Sequence, residues 1–275
     1  KKWKSDFLIH VSEKSDPYFN LALEEALLKN SLEGIIVKPI ILLYKNDSSV
    51  ILGKNQSLWE EANTGYCREN NIQIARRLSG GGTVYHDPGN INFCFITDRK
   101  FSHVSNFSAF NSPIIDFLRS LNIHSEMNKR MDIVINGKKI SGNAQNIKGD
   151  KMISHATLLY DADLNNVSES LHHKFDYVNS KAIKSHRSEV TNITDHLKSP
   201  LSTEAFQKKL FKHLQKHFSA KDFDISEAIK KEVDSLMKSK YLKKEWVFGN
   251  SPKTEIGFKL FGKTHGSISL EKGII

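Results

Sequence analysis

The chain is poor in cysteine and arginine: Cys67 and Cys94 are its two thiols, and seven of its 40 basic residues are arginine. Two thiols cannot build a disulfide framework. Neither stands in a CxxC or Cys/His zinc spacing, so both are expected reduced and metal-free. No window approaches the roughly 18 uninterrupted apolar residues that a membrane span needs. The start, KKWKSDF, lacks the apolar core of a secretory signal. A soluble, unsecreted protein without a membrane partner is the expectation. The first residue is Lys rather than Met, which leads us to expect a processed or trimmed N-terminus, removal of an organellar targeting segment being one cause. Several catalytic signatures are missing as well. The glycine-rich segment RRLSGGGT, residues 76–83, is neither GxxxxGK[ST] nor GxGxxG, and the chain has no GxSxG and no HExxH, which sets aside a Walker or dinucleotide site at that segment, hydrolase elbows and zincins.

What is present is ordinary globular material, 39% hydrophobic and 26% charged over 275 residues, enough for one large domain with a small appendage. The formal charge of +9 is carried by lysines spread along the chain, with pairs such as Lys230-Lys231 and Lys243-Lys244 on expected helix surfaces. Nucleic-acid binders cluster basic residues among aromatics, so we expect a solvated basic surface and no nucleic-acid partner.

Asp16-Pro17 before YFNLALEEALLK predicts a helix with Asp as cap and Pro at its first position. Phe19, Leu23, Ala26 and Leu27 give it an amphipathic pattern. IILLY from Ile40, VILG from Val50 and NIQIARR from Asn71 read as strands, and INFCFIT from Ile91 as a half-buried one. Helical spacing returns from Asn106 to Leu121, where Pro113 opens or kinks the helix, then at Thr203 to Phe218 and, behind a Ser cap, at Ser226 to Met237. Strands mixed with segregated helices predict an α+β fold, a mixed β-sheet flanked by helices. At about Trp246 the pattern changes to alternation. We expect a catalytic domain over 1–243 and, over 244–275, the start of a small β-containing domain that is C-terminally truncated. In it GFKLF pairs with SISLE and GII begins a third strand.

Two segments carry chemistry. In RRLSGGGTVYHDPGN, residues 76–90, Gly80, Gly81 and Gly82 free the backbone for positive φ and close approach. Successive N–H groups there can cradle an anion, and the preceding arginines can fork onto phosphate or carboxylate. In DIVINGKKISG, residues 132–142, Asn136-Gly137 predicts a two-residue hairpin turn. Ile135 then opposes Lys138, Val134 opposes Lys139 and Asp132 opposes Ser141, so Lys139 shares a face with Asp132 and Ser141 while Lys138 reaches to solvent. His155, His172 and His173, taken alone, read as structural or solvated.

These blocks, with Lys138 to Ala144 and His155 to Leu164, resemble the lipoate protein ligase A family, relatives of biotin protein ligases and octanoyltransferases. Weaker agreement at NLALEE, ILGKNQ, VTNIT and WVFG runs along nearly the whole chain, and RRLSGGGTVYHDPGNIN is more similar to eukaryotic, mitochondrial members. The resemblance implies a biotin/lipoate ligase-like fold and an ATP-dependent lipoate-protein ligase. Lipoate and ATP give lipoyl-AMP and pyrophosphate, and a lysine of an acceptor lipoyl domain then takes the acyl group. The acceptors implied are 2-oxoacid dehydrogenase E2 subunits and the glycine cleavage H protein, in the mitochondrial matrix of a eukaryote or the cytoplasm of a bacterium. Lys139 is implied as catalytic and Asp132 as the Mg²⁺ ligand. ATP and lipoyl-AMP fall to Arg77, Ser79, Gly80, Gly81, Gly82, Thr83, Val84, Tyr85 and His86, to Lys139, Gly142, Asn143, Ala144 and His155, and to Arg187 and Ser188 of the SHRS loop. A lipoyltransferase fed with preformed lipoyl-AMP would share these motifs. An octanoyltransferase would need a cysteine beyond the hairpin, and a biotin ligase a GRGRxxR-like loop; neither is here. A nonenzymatic basic binding module is the alternative from another class.

Overall fold

The computed structural model describes residues 6–101, 107–172, 175, 177–260 and 264–271. Its centre is a six-stranded mixed sheet in the order Asn143–Lys148, Lys151–Leu159, Asn90–Asp98, Ile40–Lys45, Leu8–Val11, Lys221–Asp222. The first four run antiparallel to their neighbours, and the last two join parallel. Helices cover both faces. Phe93 and Phe95 point into a cluster with Phe110, Phe206 and Phe218 from the helices Ser108–Ser120 and Thr203–Phe218. Cys94 and Ile96 point the other way, against Leu23 and Leu27 of Pro17–Leu32 and Val233 of Glu227–Leu236. The strand expected to be half-buried is therefore buried on both faces. Pro113 lies inside its helix.

The helix Pro17–Leu32 starts as expected, with the Asp16 side chain accepting from the N–H groups of Tyr18 and Phe19 at 2.7 and 3.0 Å. It is not amphipathic. Asn20, Glu24, Glu25, Asn30 and Ser31 are buried with its leucines, because sheet lies on one side and the helix Glu227–Leu236 on another. Four of these five, all but Ser31, bind protein partners through their side chains: Glu25, for instance, accepts from Lys240 Nζ and Tyr241 OH.

A second sheet, Gln73–Arg76, Ser49–Leu52, Val84–His86, lies over its own cluster of Val50, Leu52, Leu58 and Tyr85. In the C-terminal part, Thr254–Leu260 pairs antiparallel with Thr264–Leu270, as the alternation predicts. Its other neighbour is Tyr177–Ser180, a strand not among those expected from the sequence; the GII strand expected there lies outside the described residues. The segment after Lys243 is thus hydrogen-bonded to the chain before it.

Asp16→Ala removes the cap of the buried helix and is expected to cost about 1 kcal/mol. Urea unfolding should show a lower midpoint with an unchanged slope.

Candidate active site

The hairpin forms around Asn136 and Gly137, both with positive φ (50° and 79°). Lys138 opposes Ile135 and Lys139 opposes Val134, as expected, but the ladder then slips. Ser141 sits opposite Ile133 rather than Asp132, because an irregularity there sends Ile133 and Ile140 together into the core. Asp132 nevertheless meets Lys139, with Oδ1 2.9 Å from Nζ. Lys138 is exposed. The lysine folds back over Gly142, where a Cβ would stand 2.8 Å from Nζ. Its backbone is pinned from the other side as well: Lys139 N–H donates to Glu189 O (2.8 Å) and its carbonyl accepts from Thr191 N–H (3.1 Å). This pairing brings the SHRS loop beside the lysine.

Among the three consecutive glycines only Gly81 has positive φ, at 84°. The loop is shaped by Arg77, whose Nη2 donates to Gly80 O (2.6 Å) and Gly82 O (2.7 Å), Nη1 to Ile51 O (3.1 Å) and Nε to Ser79 Oγ (2.9 Å). The guanidinium expected to fork onto a ligand is instead engaged with its own loop. Burial lowers its pKa to about 10, leaving it charged at neutral pH. Gly53 completes the arrangement, since a Cβ there would lie 2.1 Å from Gly81 O. The SHRS loop is latched over the glycines by Ser185, whose Oγ accepts from Thr83 N–H (2.8 Å) and Gln56 Nε2 (3.0 Å) and is held by Glu61.

Two cavities, of about 240 and 340 Å³, lie on either side of Lys139 and Gly142, which line both, as do Thr83, Val84 and Ser188. The first runs between the two sheets. It is lined by Leu21, Tyr44, Ile51, His86, Asn92 and Ala156, with Arg77, Gly82, Asp132, Asn143, Ala144 and His155 towards the hairpin and glycine loop. The second is walled by Tyr85, Leu159, Leu164, Val167 and Leu171, with Arg187 at its side. Arg187 is exposed and donates to Leu171 O (3.2 Å). Ser79, Gly80 and Gly81 line neither cavity; the two glycines border a separate groove with Phe107. His173 lies outside the described residues.

His155 is the hub beneath the loop. Its Nδ1 lies 2.9 Å from Glu24 Oε2 and its Nε2 2.6 Å from Ser79 Oγ. Burial alone would raise the Glu24 pKa. The His155 charge and hydrogen bonds from His155, Tyr44 and Cys94 outweigh it, leaving the carboxyl below its usual 4.5. Glu24, Cys94 and His155 are also the one group of three possible metal ligands among the described residues, but Glu24 and His155 already satisfy each other. Asp132 suits a magnesium ion better. Oδ1 faces Lys139, and the contact of Oδ2 with Asn128 Nδ2 is long (3.5 Å), so a hard cation held mainly by phosphate and water could share it.

Glu24, Tyr44, Asn46, Gln56, Asn92 and Gly53 are participants that the sequence reading missed. NLALEE and ILGKNQ, two of its weaker agreements, contained three of them.

Residues 16–215 match the lipoyl protein ligase A/B catalytic domain. Lipoate-protein ligase LplJ of Bacillus subtilis is 40% identical over 245 residues, spanning 87% of this chain and 72% of that protein. Among solved structures, a lipoate-protein ligase A bound with ATP superposes with a TM-score of 0.73 at 26% identity, covering 90% of this chain and 100% of that one. A Thermoplasma acidophilum protein with bound lipoic acid has a TM-score of 0.72 at 25% identity and the same coverage.

His86 yields a pH test. Burial, with Arg77 and His155 nearby, lowers its pKa to about 3, so between pH 6.5 and 3 the unfolded chain binds a proton that the folded one does not. The resulting stability is complete above pH 6.5 and declines below it by up to ~1.4 kcal/mol per pH unit. Urea titrations from pH 7 to 4 should show this decline in the wild type and a shallower one in His86→Gln.

Proposed function

Because the chain belongs to the lipoate protein ligase A family and is an enzyme of that class, we propose that it activates lipoate with ATP and transfers the lipoyl group to a lysine of acceptor lipoyl domains. The observation that carries this reading is the position of Lys139 where two cavities meet, with Asp132 holding its ammonium. A reaction joining a carboxylate to a polyanion needs a cation at the junction to offset their repulsion and to stabilise charge developing on the α-phosphate.

The first cavity suits the acyl arm. It runs into the interior past Leu21, Ile51, Val84 and Ala156 and would leave the carboxylate at Lys139. The second, beneath Arg187, His186 and Ser188, suits the nucleotide. A lipoate carboxylate oxygen attacks the α-phosphorus, the bond to the β-phosphate oxygen breaks, and pyrophosphate leaves. The amine of the acceptor lysine then attacks the acyl carbon, AMP departs with the bonding electrons and the amine loses a proton. No enzyme nucleophile takes part, in keeping with both thiols being buried away from solvent. Arg77 acts by holding the glycine loop, and the backbone from Gly82 to Tyr85 borders both substrates. Mg²⁺, at Asp132, would neutralise phosphate charge. E2 subunits and the H protein present such acceptor lysines, and a +9 surface would speed encounter with an acidic one.

Lipoate-dependent exchange between ATP and pyrophosphate tests activation, since a transferase fed with preformed lipoyl-AMP lacks it. Mass spectrometry of an acceptor domain incubated with enzyme, ATP, Mg²⁺ and lipoate tests transfer. Lys139→Ala should reduce exchange by ~100-fold or more, whereas Lys138→Ala, altering an exposed side chain, should leave most of it. Equal losses would overturn the assignment of Lys139.

A further inference from the structure

The first cavity is lined by a buried hydrogen-bond donor with no acceptor among the described residues, and its proton can be traced through a chain of buried groups. Asn20 Nδ2 lies 2.9 Å from Lys14 O, 3.1 Å from Lys45 O and 2.8 Å from Asn46 Oδ1. Backbone carbonyls only accept, so this atom is the amide nitrogen and the Asn46 atom facing it is oxygen. Asn46 must therefore turn its Nδ2 towards His86 Nδ1, at 3.0 Å, and donate to it. A neutral imidazole that accepts at Nδ1 carries its one proton on Nε2. The ring is neutral, because burial beside Arg77 holds its pKa near 3. His86 is 4% exposed, its Nε2 has no partner among the described residues, and it lines the cavity. Asn92, 2% exposed, lines the same cavity. One end of its amide pairs with Asn90, and the other has no partner among the described residues.

A buried donor without an acceptor is rare and costly, so His86 Nε2–H in this cavity points to a ligand group that accepts. We propose that His86 Nε2–H, with Asn92 beside it, is the selectivity element of the acyl cavity. It favours a chain whose remote end bears lone pairs, such as the sulfurs of a cyclic disulfide, over an unbranched chain of similar length ending in methyl. A methyl group would leave the His86 donor unpaired, whereas sulfur, though a weak acceptor, relieves it. Asn20 and Asn46 contact no ligand in this scheme; they fix the tautomer and are positioning residues. The inference rests on the acyl arm occupying the first cavity.

The test is ATP–pyrophosphate exchange with lipoate and with octanoate, comparing the ratio of kcat/KM for the two acids in wild type, His86→Phe and His86→Gln. Phe removes the donor, and Gln puts an amide N–H near the former Nε2. The ratio should fall about tenfold in His86→Phe and stay near the wild-type value in His86→Gln. A ratio unchanged in His86→Phe would overturn this inference and leave the ligase reading intact. Failure of the wild type to exchange with either acid would overturn the ligase reading itself. In case the variants fold poorly, ¹⁵N-labelled wild-type protein supplies a second measurement. At pH 7 the two-bond ¹H–¹⁵N correlations of His86 should report the neutral Nε2–H form, and an Nδ1–H form would overturn the inference.

Discussion

The site is organised around a pair of neighbouring guanidinium groups. Arg76 and Arg77 are adjacent at the end of one strand, so their side chains leave on opposite faces, and both are buried. Arg77 gathers the carbonyls of the glycine loop. Arg76 gathers those of the Gly53–Gln56 segment and of Val247, and binds the Ser251 hydroxyl. A buried cation is tolerable when every N–H finds an acceptor, and here the acceptors are main-chain oxygens of segments that would otherwise be irregular loops. Charge burial and loop shape are thus one constraint. The glycines at 53 and 81 follow from it, because loops drawn this close leave no room for a side chain at Gly53 and require positive φ at Gly81.

From this pair the remaining contacts spread outward. Gln56, anchored through its carbonyl by Arg76, accepts from Gly53 N–H and the Thr83 hydroxyl and donates to Ser185. Ser79, anchored by Arg77, binds His155, which binds Glu24. Helix, glycine loop and SHRS loop are therefore joined by hydrogen bonds among buried groups, an arrangement that keeps donors in place before any ligand arrives and so lowers the reorganisation required of the reaction.

Local signals were legible in the residues, and tertiary ones were not. Asp16-Pro17 and Asn136-Gly137 act through their own backbone, and helix and hairpin begin where they dictate. INFCFIT alternates apolar with polar or small residues, yet both faces are buried, because alternation registers side-chain type and not what another helix later covers. The slip that moves Ser141 opposite Ile133 arises from core packing of Ile133 and Ile140, which pairing parity does not contain. Arg77 was recognisable as a site residue from its neighbours. That its fork faces inward depends on Ile51, a strand brought alongside from 26 positions earlier. The strand Tyr177–Ser180 was hidden for the same reason: its partner, Thr254–Leu260, lies far along the chain.

The reach of Arg76 to Val247 and Ser251 also sets how far the chain can be shortened. Val247 ends the short helix Lys244–Val247 and Ser251 follows it, both beyond Lys243, where a boundary drawn on composition would invite a cut. Ending the chain before them would take three hydrogen bonds from a guanidinium enclosed by protein. Stranding a buried charge in this way costs on the order of 3–5 kcal/mol, a large fraction of the stability of an ordinary domain. By this electrostatic criterion the unit that encloses Arg76 includes Ser251.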